Sequence, residues 1–145
     1  MRRTARNGFT LIEMMIVIVV IATLLGVLLP QFRGAQDEAA EQRARAELRT
    51  LATAIESYAL HNSNALPAAL STLTTASPRI VSQIPNDPFR ASGNTYSYAK
   101  DTNGVYYIVW SYGRDRTVGI TGISTSGTIS GTASDDVFVT NGTGT

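Results

Sequence analysis

The chain has 145 residues, a net charge of +1, a single histidine and no cysteine. Disulfides, thiolate metal sites and cysteine nucleophiles are excluded, and His61 alone cannot build a histidine-rich metal site. The small net charge makes no case for nucleic-acid binding, and its sign is uneven: Arg2, Arg3 and Arg6 precede every acid, so the remainder is slightly acidic.

The first element is an apolar segment. From Met14 to Leu29 there is no charged residue, and Thr23 and Gly26 interrupt the run. With Phe9 to Glu13 it reaches the ~20 residues needed to span about 30 Å of hydrocarbon. The arginines before it place its start in the cytoplasm and everything after Pro30 outside, by the positive-inside rule. A cleavable secretory signal would have a shorter apolar core of ~7–15 residues and a small-x-small cleavage site. Here the run ends Leu29-Pro30-Gln31-Phe32-Arg33. A plain membrane anchor fits the length but leaves Glu13 without a reason, although a carboxylate in hydrocarbon costs roughly 2.5–3.5 kcal/mol.

Gly8-Phe9-Thr10-Leu11-Ile12-Glu13, behind a short basic leader, resembles the class III signal of type IV pilins and of the pseudopilins of type II secretion. The resemblance implies that a membrane-embedded prepilin peptidase cuts between Gly8 and Phe9 and methylates the new amine of Phe9. Residues 1–8 are then a leader, and Glu13 is the fifth residue of the mature chain. Pro30 stands where the family commonly bends its helix. Cleavage removes three arginines and creates one charge, the Phe9 amine, at the edge of the apolar run. Within one helix that amine and Glu13 are about a turn apart. Between two staggered helices, one chain's Glu13 meets its neighbour's amine. Charges attract strongly in low dielectric, and an unpaired one is penalised. The cross-chain pair would therefore set the stagger, as a buried polar residue sets register in a coiled coil. The resemblance favours that pairing; a Glu13 that snorkels to the headgroups is the competing arrangement.

After Pro30 the composition turns to Ala, Glu, Gln, Arg and Leu, good helix formers. Leu48, Leu51, Ala52, Ile55, Tyr58 and Ala59 recur at helical spacing as one apolar stripe. Glu41 and Arg45 form an i,i+4 pair on the polar side. One nearly continuous helix over residues 9–61 is expected, about 80 Å long at 1.5 Å per residue. Residues 9–29 are its transmembrane or filament-core part, and Pro30 is the place for a bend or local melting.

Residues 62–145 read as an exported domain. Asn62, Ser63, Asn64, Pro67 and Pro78 mark turns, and Ala69–Ala76 reads as a short helix or an extended connection. Pro85 and Pro88 stiffen a turn-rich loop around Asp87. Thr95–Tyr98 and Val105–Tyr112 alternate as strands around an Asn103-Gly104 turn. One strand face must cover the helix stripe, and both faces are apolar enough to do so. The aromatic strand reads as core rather than as a ligand platform. The fold class is α+β: a long N-terminal helix packed on a small antiparallel sheet. Thr117–Thr145 is Gly/Ser/Thr-rich, a composition that does not fold well unaided.

From Ile84 on, the resemblance is to the major pseudopilins: Asp87-Pro88-Phe89, Tyr96-x-Tyr98, and Ser111-x-Gly113-x-Asp115. Those relatives usually carry Trp-Gly after Asp-Pro, where this chain has Phe89-Arg90. They bind calcium in the C-terminal loop, which points to Asp115, Asp135 and Asp136 as carboxylate ligands beside backbone carbonyls; Arg114 and Arg116 add opposing charge. The function implied is a non-enzymatic structural subunit of a type II secretion pseudopilus, assembling as a homo-oligomeric filament from the inner membrane. The expected partners are minor pseudopilins or pilins, the prepilin peptidase, an inner-membrane assembly platform with its ATPase, and lipid before assembly. A type IV pilus pilin, or a membrane-anchored exported binding domain, are the alternatives. No nucleic-acid partner and no required cofactor are expected, calcium being optional.

Overall fold

The computed structural model describes residues 8–144, without the side chains of Pro30, Gln31 and Arg33. The leader residues 1–7 lie outside it. Helix α1 spans Leu11–His61. It begins two residues later than periodicity suggests because Thr10 is its N-cap: the Thr10 hydroxyl accepts the Glu13 N–H at 3.3 Å. The helix runs unbroken through Pro30. At the far end the His61 ring Nδ1 lies 2.8 Å from the Ser57 carbonyl, and the residue is an exposed helix-end group.

Contacts divide the chain into two units, one up to Asp37 and one from Glu38 on. The second contains the sheet. The region Ala69–Ala76 resolves into a one-turn helix, α2 (Thr72–Thr75), whose Leu73 is buried. Strands β1 (Ser97–Lys100) and β2 (Tyr107–Ser111) pair antiparallel, with Ser97 opposite Trp110 and Lys100 opposite Tyr107. The connection is longer than a two-residue Asn-Gly turn. Asp101 organises it: the carboxylate accepts the backbone N–H groups of Asn103, Val105 and Tyr106 at 2.7–3.0 Å. Gly104 follows at φ +70°, a conformation suited to glycine.

The Gly/Ser/Thr-rich tail does not stay a loop. It forms β3 (Ile120–Ile123), β4 (Ile129–Gly131) and β5 (Val137–Thr140). The first two make a hairpin, and β5 adds to β2, giving a sheet of order β1-β2-β5. Sparse apolar residues at alternating positions suffice once a surface exists to receive them.

That surface is the outer face of β2. Leu48, Leu51 and Ile55 of α1 pack with Tyr107 and Val109 in one buried cluster. Ile108 and Trp110 point the other way and join Ile120 and Ile123 of the hairpin in a second. The sheet therefore gives its Tyr107/Val109 face to the helix, deciding a choice the sequence left open. All five residues of β2 are buried, because both of its faces are covered. Two tyrosines, one just before β1 and one in β2, bond the helix through their hydroxyls. Tyr96 donates to Glu47 at 2.6 Å and Tyr107 to Glu56 at 3.2 Å. Burial raises the Tyr96 and Tyr107 pKa values well beyond the tyrosine range, so both remain donors.

Candidate functional site

The site begins at the peptide before the helix. Gly8 and Phe9 precede α1, and Phe9 is 72% exposed. A methyl group placed on Gly8 would meet nothing within 4 Å. The fold itself does not require glycine there. Glu13 is the third residue of α1, where a carboxylate complements the positive end of the helix dipole. Thr10 and Glu13 have the spacing of a capping box, and the Thr10 half is made: its hydroxyl takes the Glu13 N–H while its carbonyl takes the Met14 N–H at 3.3 Å. The Thr-x-x-Glu spacing was visible in the sequence, and it gives Thr10 a role not assigned from composition or periodicity.

Every large apolar side chain from Phe9 to Leu29 is at least 43% exposed. Apolar surface on all sides of a helix is stable only in lipid or against other helices. Thr23, the polar interruption, donates its hydroxyl to the Val20 carbonyl at 2.8 Å, so no free hydroxyl faces hydrocarbon. Pro30, the expected bend, has its side chain outside the described residues.

The acids assigned to calcium lie around the hairpin base. Both Asp115 oxygens accept from Thr117, one from its N–H and one from its hydroxyl, each at 2.8 Å. Asp135 Oδ2 accepts the Asp115 N–H at 2.9 Å, and Asp136 Oδ2 accepts the Ile120 N–H at 2.7 Å. Burial pushes the Asp136 carboxyl above the usual aspartate range; the Ile120 N–H opposes this, while Asp135 and Asp115 add to it. Asp136 Oδ1 is buried without a partner. Among the described residues, no group of three or more His, Cys, Asp or Glu side chains is arranged to hold a metal ion. The three carboxylates are near one another but do not converge.

Asp87 emerges as a hub that the sequence showed only as a turn residue. Its carboxylate is buried and accepts the Phe89 N–H, the Ser111 hydroxyl and the Tyr112 N–H. Phe89, next in that turn, is buried in the helix-side core. Arg90 lies 4.4 Å from the Tyr112 ring centre and donates to the Thr95 carbonyl at 2.7 Å.

Residues 3–29 match the prokaryotic N-terminal methylation motif, and residues 31–127 match the type II secretion system protein G family. The chain is similar to the type II secretion system core protein G of Pseudomonas aeruginosa, 32% identical over 130 residues that cover 79% of this chain and 88% of that protein. The Vibrio cholerae protein of the same name is 29% identical over 122 residues, covering 76% and 82%. The Klebsiella michiganensis protein is 38% identical over 63 residues, covering 43% and 44%. No solved structure matches the chain. With a methylation motif over its apolar helix and the family match extending through the sheet as far as β3, the chain belongs to the type II secretion system protein G family, the pseudopilins.

Proposed function

We propose that this chain is the repeating subunit of a type II secretion pseudopilus, built around a register pair between Glu13 of one copy and the Phe9 amine of the next. The observation that carries this reading is a helix start whose apolar side chains all lack cover, with one carboxylate in its first turn. In the membrane those side chains face lipid; in the filament they face other copies. Transfer from lipid to filament changes little for the apolar groups. The charges distinguish the two states. Removing one partner of a buried ion pair costs about 3–5 kcal/mol, enough to reject a slipped register at every subunit added.

The precursor sits in the inner membrane with its N-terminus in the cytoplasm. The prepilin peptidase cuts between Gly8 and Phe9 and methylates Phe9. An assembly platform and its ATPase then draw subunits into the filament, and minor pseudopilins join it. Thr10 holds the first turn, so Glu13 is presented at a fixed angle. Pro30, which lacks a backbone N–H, marks the place where helix can yield during packing. The role is mechanical and assigns no catalytic group.

Two measurements test this. The intact mass of membrane-extracted protein is expected to start at a methylated Phe9; a chain retaining residues 1–8 in cells with active peptidase contradicts the reading. Glu13→Ala is expected to abolish filaments while the domain from Glu38 on stays folded. Filaments of normal yield from that variant would remove the register role.

A further inference from the structure

We infer that the cavity between Arg90 and Arg116 receives the Asp37–Glu38 pair of an adjoining copy, as a second register contact beyond the membrane segment. The contact presupposes the filament and the Glu13 register pair proposed above. The cavity has a volume of about 500 Å³; Arg90, Arg116, Tyr112 and Asn94 line it, and no carboxylate does. Arg90 is half-buried and held in place: its guanidinium lies 4.4 Å from the Tyr112 ring centre, and Nη1 donates to the Thr95 carbonyl at 2.7 Å. Arg116 is exposed, and its guanidinium makes no hydrogen bond or ion pair among the described residues. Its backbone is held at φ +58°, with the N–H bonded to the Gly113 carbonyl at 3.2 Å. Two guanidiniums without a carboxylate, beside one cavity, suit a carboxylate ligand, which a guanidinium binds through paired N–H donors.

The chain itself carries the matching acids. Glu41 and Glu47 are ion-paired, and Glu56 accepts from Tyr107. Each aspartate from Asp87 on accepts a backbone N–H. Asp37 and Glu38 have no side-chain bond among the described residues, and Glu38 is exposed. Their height on the helix also fits. With one copy's Glu13 level with its neighbour's Phe9, the copies are offset by one helical turn, about 6 Å at 1.5 Å per residue. The same offset sets Asp37 of one copy level with Glu41 of the other. Glu41 is where the loop bearing Arg116 reaches the helix, through the Arg114–Glu41 pair at 2.7 Å. Arg49, whose guanidinium also lacks a partner among the described residues, lies about two turns beyond Glu41, out of level with this pair. One exposed ion pair contributes little, but a contact repeated at every subunit adds along the filament.

The chain has no cysteine, so introduced thiols report without background. The full-length chain carrying both Glu38→Cys and Arg116→Cys is assembled in cells, and the sheared filaments are treated with a short bis-maleimide, because an arginine–carboxylate contact holds its backbones further apart than a disulfide reaches. A covalent ladder of dimers, trimers and higher multimers is expected, and either cysteine alone is expected to give nothing above a dimer. Arg116→Glu is expected to lower filament yield several-fold, and Asp37→Arg with Glu38→Arg in the same chain to restore it. Arg116 is exposed and unbonded, so the variant should unfold at the wild-type urea midpoint, which separates lost assembly from lost folding. No ladder, or a normal filament yield from Arg116→Glu, would overturn the contact. Either result leaves the Glu13 register pair standing, since that pair fails only where Glu13→Ala still assembles.

Discussion

Replacing Asp87 with alanine should be the most damaging single change to a polar residue in the folded unit. The carboxylate is 3% exposed and accepts three hydrogen bonds, at 2.6 Å from the Ser111 hydroxyl, 3.0 Å from the Phe89 N–H and 3.2 Å from the Tyr112 N–H. Ser111 is fully buried, so its hydroxyl has no water to turn to. A buried donor left unsatisfied costs about 1–3 kcal/mol. The Tyr112 bond is long and part-buried, so the three do not add in full, and a loss of roughly 3–5 kcal/mol is expected. Against a stability of about 5–15 kcal/mol for an ordinary domain, that is roughly a fifth or more. With a urea slope near 2 kcal/mol/M, the unfolding midpoint should fall by roughly 2 M. Ser111→Ala removes one donor and should cost far less, and Asp87→Asn, which keeps one acceptor oxygen, should fall between. A loss below about 1 kcal/mol for Asp87→Ala, at unchanged slope, would refute the claim that this carboxylate joins the Asp-Pro turn to β2.

Leu48→Ala empties a fully buried site between α1 and the sheet and should cost about 2–5 kcal/mol, read from thermal or urea unfolding. Gly113→Ala places a side chain at φ +71° against the Asp135 carbonyl; strain of ~1–3 kcal/mol plus the clash should lower the melting point more than Gly34→Ala, where nothing lies within 4 Å. Arg114→Ala breaks a link to Glu41, which Arg45 and Arg114 together hold below the usual glutamate range. A lowered carboxyl pKa contributes stability above the unfolded value and loses it as pH falls through the folded one. The variant should therefore cost up to about 1 kcal/mol at neutral pH, and the difference in urea midpoints should shrink as pH falls below the usual glutamate range and the carboxylate is protonated.

The N-terminal third was legible because its constraints are local or come from the solvent. A run of apolar residues, a flanking set of arginines and a Gly-Phe step carry their meaning in order, and the carboxylate at Glu13 stands out because hydrocarbon penalises it. The α1 stripe from Leu48 to Ile55 was equally visible, since helical periodicity marks the buried face before its partner is known. The tail was not. Ile120, Ile123 and Ile129 are too thinly spread among Gly, Ser and Thr to announce strands, and Val137–Val139 had no visible partner until β2 stood beside it.

What the amino-acid order alone made legible was therefore the family, the long helix and, in outline, the β1–β2 pair. The tertiary structure decided three further things: that Tyr107 and Val109 face the helix, that Asp87 and Asp101 hold turns by their carboxylates, and that the tail folds over Ile108 and Trp110. The division has a physical cause. Helix and membrane signals depend on neighbours within a few residues, whereas a weak strand gains its stability from a surface that distant parts of the chain must first build.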